Sequence, residues 1–145
     1  MAKYVEHIKV GSGETWDIRD KEAYEFINET LADYPVETGV SGIWSYTKWN
    51  SGRYVATYIT DASTETVDCS EAFGSVYLAT EIKDFQLPSF SKSLTHYSGS
   101  ASLVSNFSSA FMFREEDYIL LRFWSPVQVP SSAYRVSLKI EGTWK

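Results

Sequence analysis

The tightest constraint in the chain is a turn. Asn50-Ser51-Gly52 separates two short runs, IWSYTKW (43–49) and RYVATYI (53–59), with aromatic residues at 44, 46 and 49 in the first and at 54 and 58 in the second. A three-residue hairpin loop takes a type I turn followed by a glycine in the left-handed region, and this tripeptide fits that pattern. Closing the loop there sets Trp49 against Arg53 and fixes every pair below it. Lys48 then faces Tyr54, Tyr46 faces Ala56 and Trp44 faces Tyr58, while Thr47/Val55, Ser45/Thr57 and Ile43/Ile59 lie on the other side. Trp44 and Trp49 are an odd number of residues apart, so they point to opposite faces of the ribbon. The Trp44, Tyr46, Tyr54 and Tyr58 side reads as core. Trp49 lies at the loop end beside Arg53, whose guanidinium can stack on the indole, and is the better candidate for a surface contact.

The same alternation recurs at the end of the chain, where Tyr134, Val136, Leu138 and Ile140 interleave with Arg135, Ser137, Lys139 and Glu141. That pattern gives a strand with one face buried and one wet. Strand-like runs are expected at 42–49, 53–60, 75–82, 91–97, 101–105, 109–114, 117–125 and 134–141, and no helix from Val36 onward. YILLRFW (118–124) is apolar on both faces, as in a central or interface strand. Aromatic residues make up 16% of the sequence, a bias that suits pleated surfaces better than helices. The expectation is a mainly β domain, an antiparallel sandwich of jelly-roll-like type, over 36–145. Glu115-Glu116-Asp117 reads as a solvated turn, and Asp61, Glu65, Asp68 and Glu71 as a solvated loop.

Residues 1–35 read differently. YVEHIKV and ETWDI flank Gly11-Ser12-Gly13 as a small hairpin, and Asp20 can cap one short helix running to about Leu31. Tyr24, Ile27 and Leu31 share one face of that helix. Some eleven residues form too short a helix to be stable alone, so this face is expected to pack on the following domain or on other copies of itself.

Several function classes lose ground on composition. The net charge is −6 with no basic patch, which argues against nucleic acid. The longest apolar runs are far short of the ~20 residues of a bilayer span, so membrane insertion is not expected. The amino terminus has no apolar signal segment, which points to synthesis in a cytoplasm. Cys69 is the sole cysteine, so no intrachain disulfide can form, and its acidic neighbours Asp68 and Glu71 argue against a nucleophilic thiol. His7 and His96 have no partners at metal-ligand spacing, and no nucleophile elbow or phosphate loop is present. No enzyme activity, metal or cofactor is expected. Candidate ligand contacts are Trp49 and Arg53, with Tyr97 on the 91–97 strand.

Three segments resemble a known family. HIKVGSGETWDIRDKEA (7–23) is similar to the I-K-V-G … Y-D-I-R-D … A opener of tail proteins from phages and prophages of Gram-positive bacteria. VETGVSGIWSYTKWNSGRY (36–54) resembles the start of the carboxy-terminal head domain of phage tail-fibre and receptor-binding proteins, and IEGTWK (140–145) matches how those domains end. The middle, about 61–133, shows no match. GRYVATYIT (52–60) stands where many relatives carry G-x-A-E-C-W-G, so no site is carried over in that strand. The resemblance implies a virion tail protein made in the bacterial host cytoplasm. It also implies a homotrimer, assembled here through Tyr24, Ile27 and Leu31, with other tail or baseplate proteins and a host-surface saccharide as partners. Two rivals stand beside it: a purely structural baseplate or tail-tip component, and a glycan-degrading enzyme.

Overall fold

Gly52 takes the left-handed conformation that the turn demands, with φ at 92°, and its amide donates to the Trp49 carbonyl at 3.0 Å. The hairpin closes as its sequence dictates, pairing Lys48 with Tyr54, Tyr46 with Ala56, Thr47 with Val55 and Ser45 with Thr57. The computed structural model describes residues 33–145, together with the backbone of His7–Lys9 and Thr15–Asp17. Those two short segments, β1 (His7–Lys9) and β2 (Thr15–Asp17), pair antiparallel, Ile8 opposite Trp16. The expected helix, with Tyr24, Ile27 and Leu31, lies outside the described residues.

Ten further strands follow: β3 (Pro35–Ser41), β4 (Trp44–Trp49), β5 (Arg53–Thr60), β6 (Thr66–Phe73), β7 (Val76–Ala79), β8 (Lys83–Gln86), β9 (Ser93–Leu103), β10 (Ser109–Glu115), β11 (Tyr118–Ser125) and β12 (Val129–Thr143). The protein is mainly β, and the described residues contain no helix. The strands form one antiparallel network in the order β10-β11-β7-β6-β12-β5-β4-β3, with β8 added on β11 and β9 on β12. The long strand β12 links its two halves. Its first residues pair with β6, and Tyr134–Thr143 run alongside β9, with β5 on the other side from Val136 onward.

One core is drawn from both halves. Trp44, Tyr54, Val136, Leu138 and Ile140 come from one, and Ile119, Leu121, Phe123, Val67 and Cys69 from the other. Contacts cross this core between strands that share no ladder. The Trp44 indole donates to the Gln86 carbonyl at 2.6 Å, and the Tyr58 and Phe85 rings lie 5.7 Å apart. β11 is the central strand that its two apolar faces called for, with Ile119, Leu121 and Phe123 fully buried.

Several elements differ from the expectation. Runs 91–97 and 101–105 are one strand, β9, because Gly99 does not end it. A Cβ at Gly99 would lie 2.3 Å from the Ser137 carbonyl, so this glycine permits close packing on β12. The presumed acidic loop is split. Asp68 and Glu71 stand on β6, in which Val67 and Cys69 are buried. β3 and β8 were also not expected as strands. β3 is an edge strand with little burial, so its sequence carries no alternation to read. Its link to β4 is a two-residue turn in which Gly42 alone has positive φ, as a type II′ turn requires.

Candidate functional site

The pairing register assigns a face to every side chain in β3-β4-β5-β12-β9. Trp49, Thr47 and Ser45 share the solvent face with Val55 and Thr57 of β5, Lys139 and Glu141 of β12, and His96 and Ser98 of β9. One rung runs Val40–Ser45–Thr57–Lys139–Ser98, and the next runs Thr38–Thr47–Val55–Glu141–His96. None of these residues is buried. The surface is flat, rich in hydroxyls and mixed in charge.

At the hairpin end of this face the Arg53 guanidinium lies 4.2 Å from the centre of the Trp49 ring. The same guanidinium reaches Asp33 at 3.1 Å, and Asp33 also accepts a hydrogen bond from the Ser51 hydroxyl at 2.5 Å. The Ser51 bond is the main reason that the Asp33 carboxyl is held below its ordinary pKa, with Arg53 adding to it. Glu141 accepts from Lys139 at 2.8 Å. That contact lowers its pKa first, and the nearby charges of Lys139, Arg53 and His96 act in the same direction. The carboxylates therefore stay ionised to low pH, offering acceptors beside an aromatic ring and two cations.

The carboxy-terminal residues buttress this end from behind. The Trp144 amide donates to the Gly52 carbonyl at 2.9 Å, its indole donates to the Trp49 carbonyl at 3.1 Å, and the Lys145 ammonium donates to the Asn50 carbonyl at 2.5 Å. Beneath the hairpin, Lys48 is buried in an aromatic box. Its ammonium lies 4.2 Å from the Phe90 ring, 5.1 Å from Tyr46 and 5.3 Å from Trp144. It pairs with Glu37 at 3.0 Å, and Glu37 also accepts from the Tyr46 hydroxyl. The Tyr46 bond is the larger cause of the lowered Glu37 pKa.

Of the residues singled out in sequence, Trp49 and Arg53 are brought into direct contact. Tyr97 is not brought to them. It pairs with Ile140, which pairs with Ala56, so it lies on the opposite face of the sheet. Parity along β9 would have placed Tyr97 on the side of Ala101 and Leu103, had β9 been recognised as one strand. Asp33, Glu141 and His96 carry no motif: Asp33 reaches Arg53 beside the β3–β4 pairing, and only the long-range pairing of β12 with β5 and β9 sets Glu141 and His96 on the face that Trp49 shares. Among the described residues no group of three His, Cys, Asp or Glu side chains is placed to hold a metal ion. Cys69 is fully buried, and burial first, then the Asp68 charge, pushes its thiol up. Chemically, the face can stack on a flat apolar ligand surface and exchange hydrogen bonds with hydroxyls. Comparison with family models, with curated proteins and with solved structures finds no match to this chain.

Proposed function

We propose that this chain is a phage or prophage tail-fibre-type virion protein whose β domain binds a host-surface glycan. The domain is read as a jelly-roll-like sandwich, supported by the core contacts between strands that share no ladder. The observation that carries the binding reading is the Trp49–Arg53 pair, set between Asp33 and Glu141 at the end of a hydroxyl-lined face. Sugars are bound by this combination, a ring for the apolar sugar face with fixed polar groups for its hydroxyls. The sequence resemblance supplies the virion context, and with it a trimer held by Tyr24, Ile27 and Leu31.

The test is retention on purified cell walls of a Gram-positive host panel, with a glycan array beside it. Trp49→Ala is expected to weaken retention about tenfold or more, the loss of about 1.4 kcal/mol. Unchanged retention by a variant with unchanged circular dichroism refutes this site.

A second reading, a structural baseplate component, draws on a different surface. Phe111 and Phe113 of β10 and Phe73 of β6 are exposed, Phe73 at 67%, on the outer side of the strands around the Arg122–Glu71 ion pair. Exposed apolar area of this kind commonly buries against another chain. Assembly with other virion proteins in the absence of any glycan binding is the outcome that favours it.

A further inference from the structure

The domain has two poles, and its connections occupy one of them. Pro35 pairs with Trp49, the Asn50 amide donates to the Tyr34 carbonyl at 2.9 Å, and Asp33 bonds to Ser51 and Arg53. Asp33 therefore sits at the Asn50-Ser51-Gly52 end, where Trp144 and Lys145 also dock. β4 and β5 span the domain from this end, so Trp44 and Thr60 mark the opposite pole. The Gly42-Ile43 turn, the loop over 61–65 and β8 cluster there. Two adjoining depressions of about 400 and 330 Å³ open between them, sharing Ile43, Asp84 and Phe85 as a common wall. The second extends past Tyr58 and Tyr134 to Ser63 and Glu65.

The geometry points to this groove as a second binding site, for an uncharged saccharide chain. Each depression falls in the size range of small-molecule sites, and end to end they suit an elongated ligand. Phe85 and Tyr134 form a largely buried floor, half-buried Tyr58 lies beside them, and Ile43 forms an apolar lip that is 45% exposed. A type II′ turn needs glycine only at Gly42, so the turn itself does not require an apolar residue at Ile43. The polar side chains on the wall are hydroxyls, carboxylates and the Gln86 carboxamide, suited to exchange hydrogen bonds with sugar hydroxyls. Lys83, the nearby cation, is held by both Glu65 at 3.2 Å and Glu81 at 3.4 Å. No lining residue is basic, so an anionic polymer meets repulsion here. That the groove faces the host rests on the tail-fibre reading; its preference for neutral ligands does not.

The experiment titrates the full chain with neutral oligosaccharides of four to six hexose or N-acetylhexosamine units, and separately with polyglycerol phosphate. Binding is mapped by amide chemical-shift changes and repeated with Ile43→Arg and Trp49→Ala. The expected result is shifts at Ile43, Ser63 and Asp84 with a neutral probe, weakened at least tenfold by Ile43→Arg and left within twofold by Trp49→Ala. Asp84→Asn gives a second, less bulky perturbation, expected to weaken binding threefold or more. The proposal is overturned if no neutral probe binds up to about 10 mM, if the shifts map elsewhere, or if polyglycerol phosphate binds the groove better. Loss through Trp49→Ala alone overturns the groove while leaving the Trp49 site standing. Groove binding with no retention on cell walls does the reverse.

Discussion

Replacing Trp144 by alanine tests whether the end of the chain is a latch on the hairpin or a trailing tail. The indole is half-buried against the core, donates to the Trp49 carbonyl and borders the Lys48 ammonium. Truncating a fully buried tryptophan costs about 3–5 kcal/mol. Half of that burial gives about 2 kcal/mol here. The lost hydrogen bond adds about 1 kcal/mol, and the weak cation–ring contact about 0.5 kcal/mol. The sum, about 3.5 kcal/mol, is a large share of the 5–15 kcal/mol that holds a typical domain together.

Urea denaturation followed by circular dichroism reads this directly, and the melting point is expected to fall by roughly 10 °C. Trp144→Phe separates the terms. The ring contact is largely kept and the Trp49 carbonyl still accepts from the Gly52 amide, so the cost is about 1 kcal/mol. A Trp144→Ala stability within 0.5 kcal/mol of the parent refutes the latch. So does a phenylalanine variant as unstable as the alanine one, because packing would then not be the main term.

Gly142→Ala is expected to be more damaging still. Its Cβ would stand 2.0 Å from the Ser93 carbonyl and 2.7 Å from the Tyr54 ring, and backbone rather than a flexible side chain must give way, so expression as insoluble protein or a loss beyond about 3 kcal/mol is the outcome. Stability also has an acid limb. Glu37, Asp33 and Glu141 all have pKa values below their ordinary ones, so their contribution is complete above those ordinary values, near 4.5 for Glu and 3.8 for Asp, and is lost as pH falls further. The urea midpoint is expected to stay level from pH 7 to about 5 and then fall, with a shallower fall in Glu37→Gln; a midpoint that rises on acidification reverses the sign of this linkage.

How much of this was legible in the sequence depends on the range of the interaction. The hairpin register was readable because one tripeptide fixes the turn and parity does the rest. The last strand was readable because Tyr134 to Glu141 alternate without interruption. β3 was not, since an edge strand exposed on both sides leaves no periodic mark. β6 was missed because Asp68 and Glu71 interleave with its buried Val67 and Cys69, and acidic composition was taken as a sign of loop. The Trp49–Arg53 contact lies within one hairpin and could be foreseen. Glu141 and His96, on the same face, arrive through ladders that span some ninety and forty residues of sequence, which no local pattern encodes.

The structure also changes what the family-like motifs mean. VETGVSGIWSYTKWNSGRY and IEGTWK lie about ninety residues apart in sequence, yet in the fold they touch at the Asn50-Ser51-Gly52 turn. Glu37 and Lys48 from the first segment enclose a charge that Trp144 from the second covers. Two motifs in contact around one buried ammonium are explained by folding alone, since changing either disturbs the same box. Lys48 is buried while its partner Glu37 is half-exposed, so removing Glu37 leaves a buried ammonium uncompensated. The residues that carry the resemblance to a tail-fibre head are therefore chiefly those that close the pole at the Asn50-Ser51-Gly52 turn. Under the proposed tail-fibre reading, receptor choice falls to residues free of that duty. The turn at Gly42-Ile43, the 61–65 loop and β8 have that freedom, and most of them fall where the resemblance to the family stops.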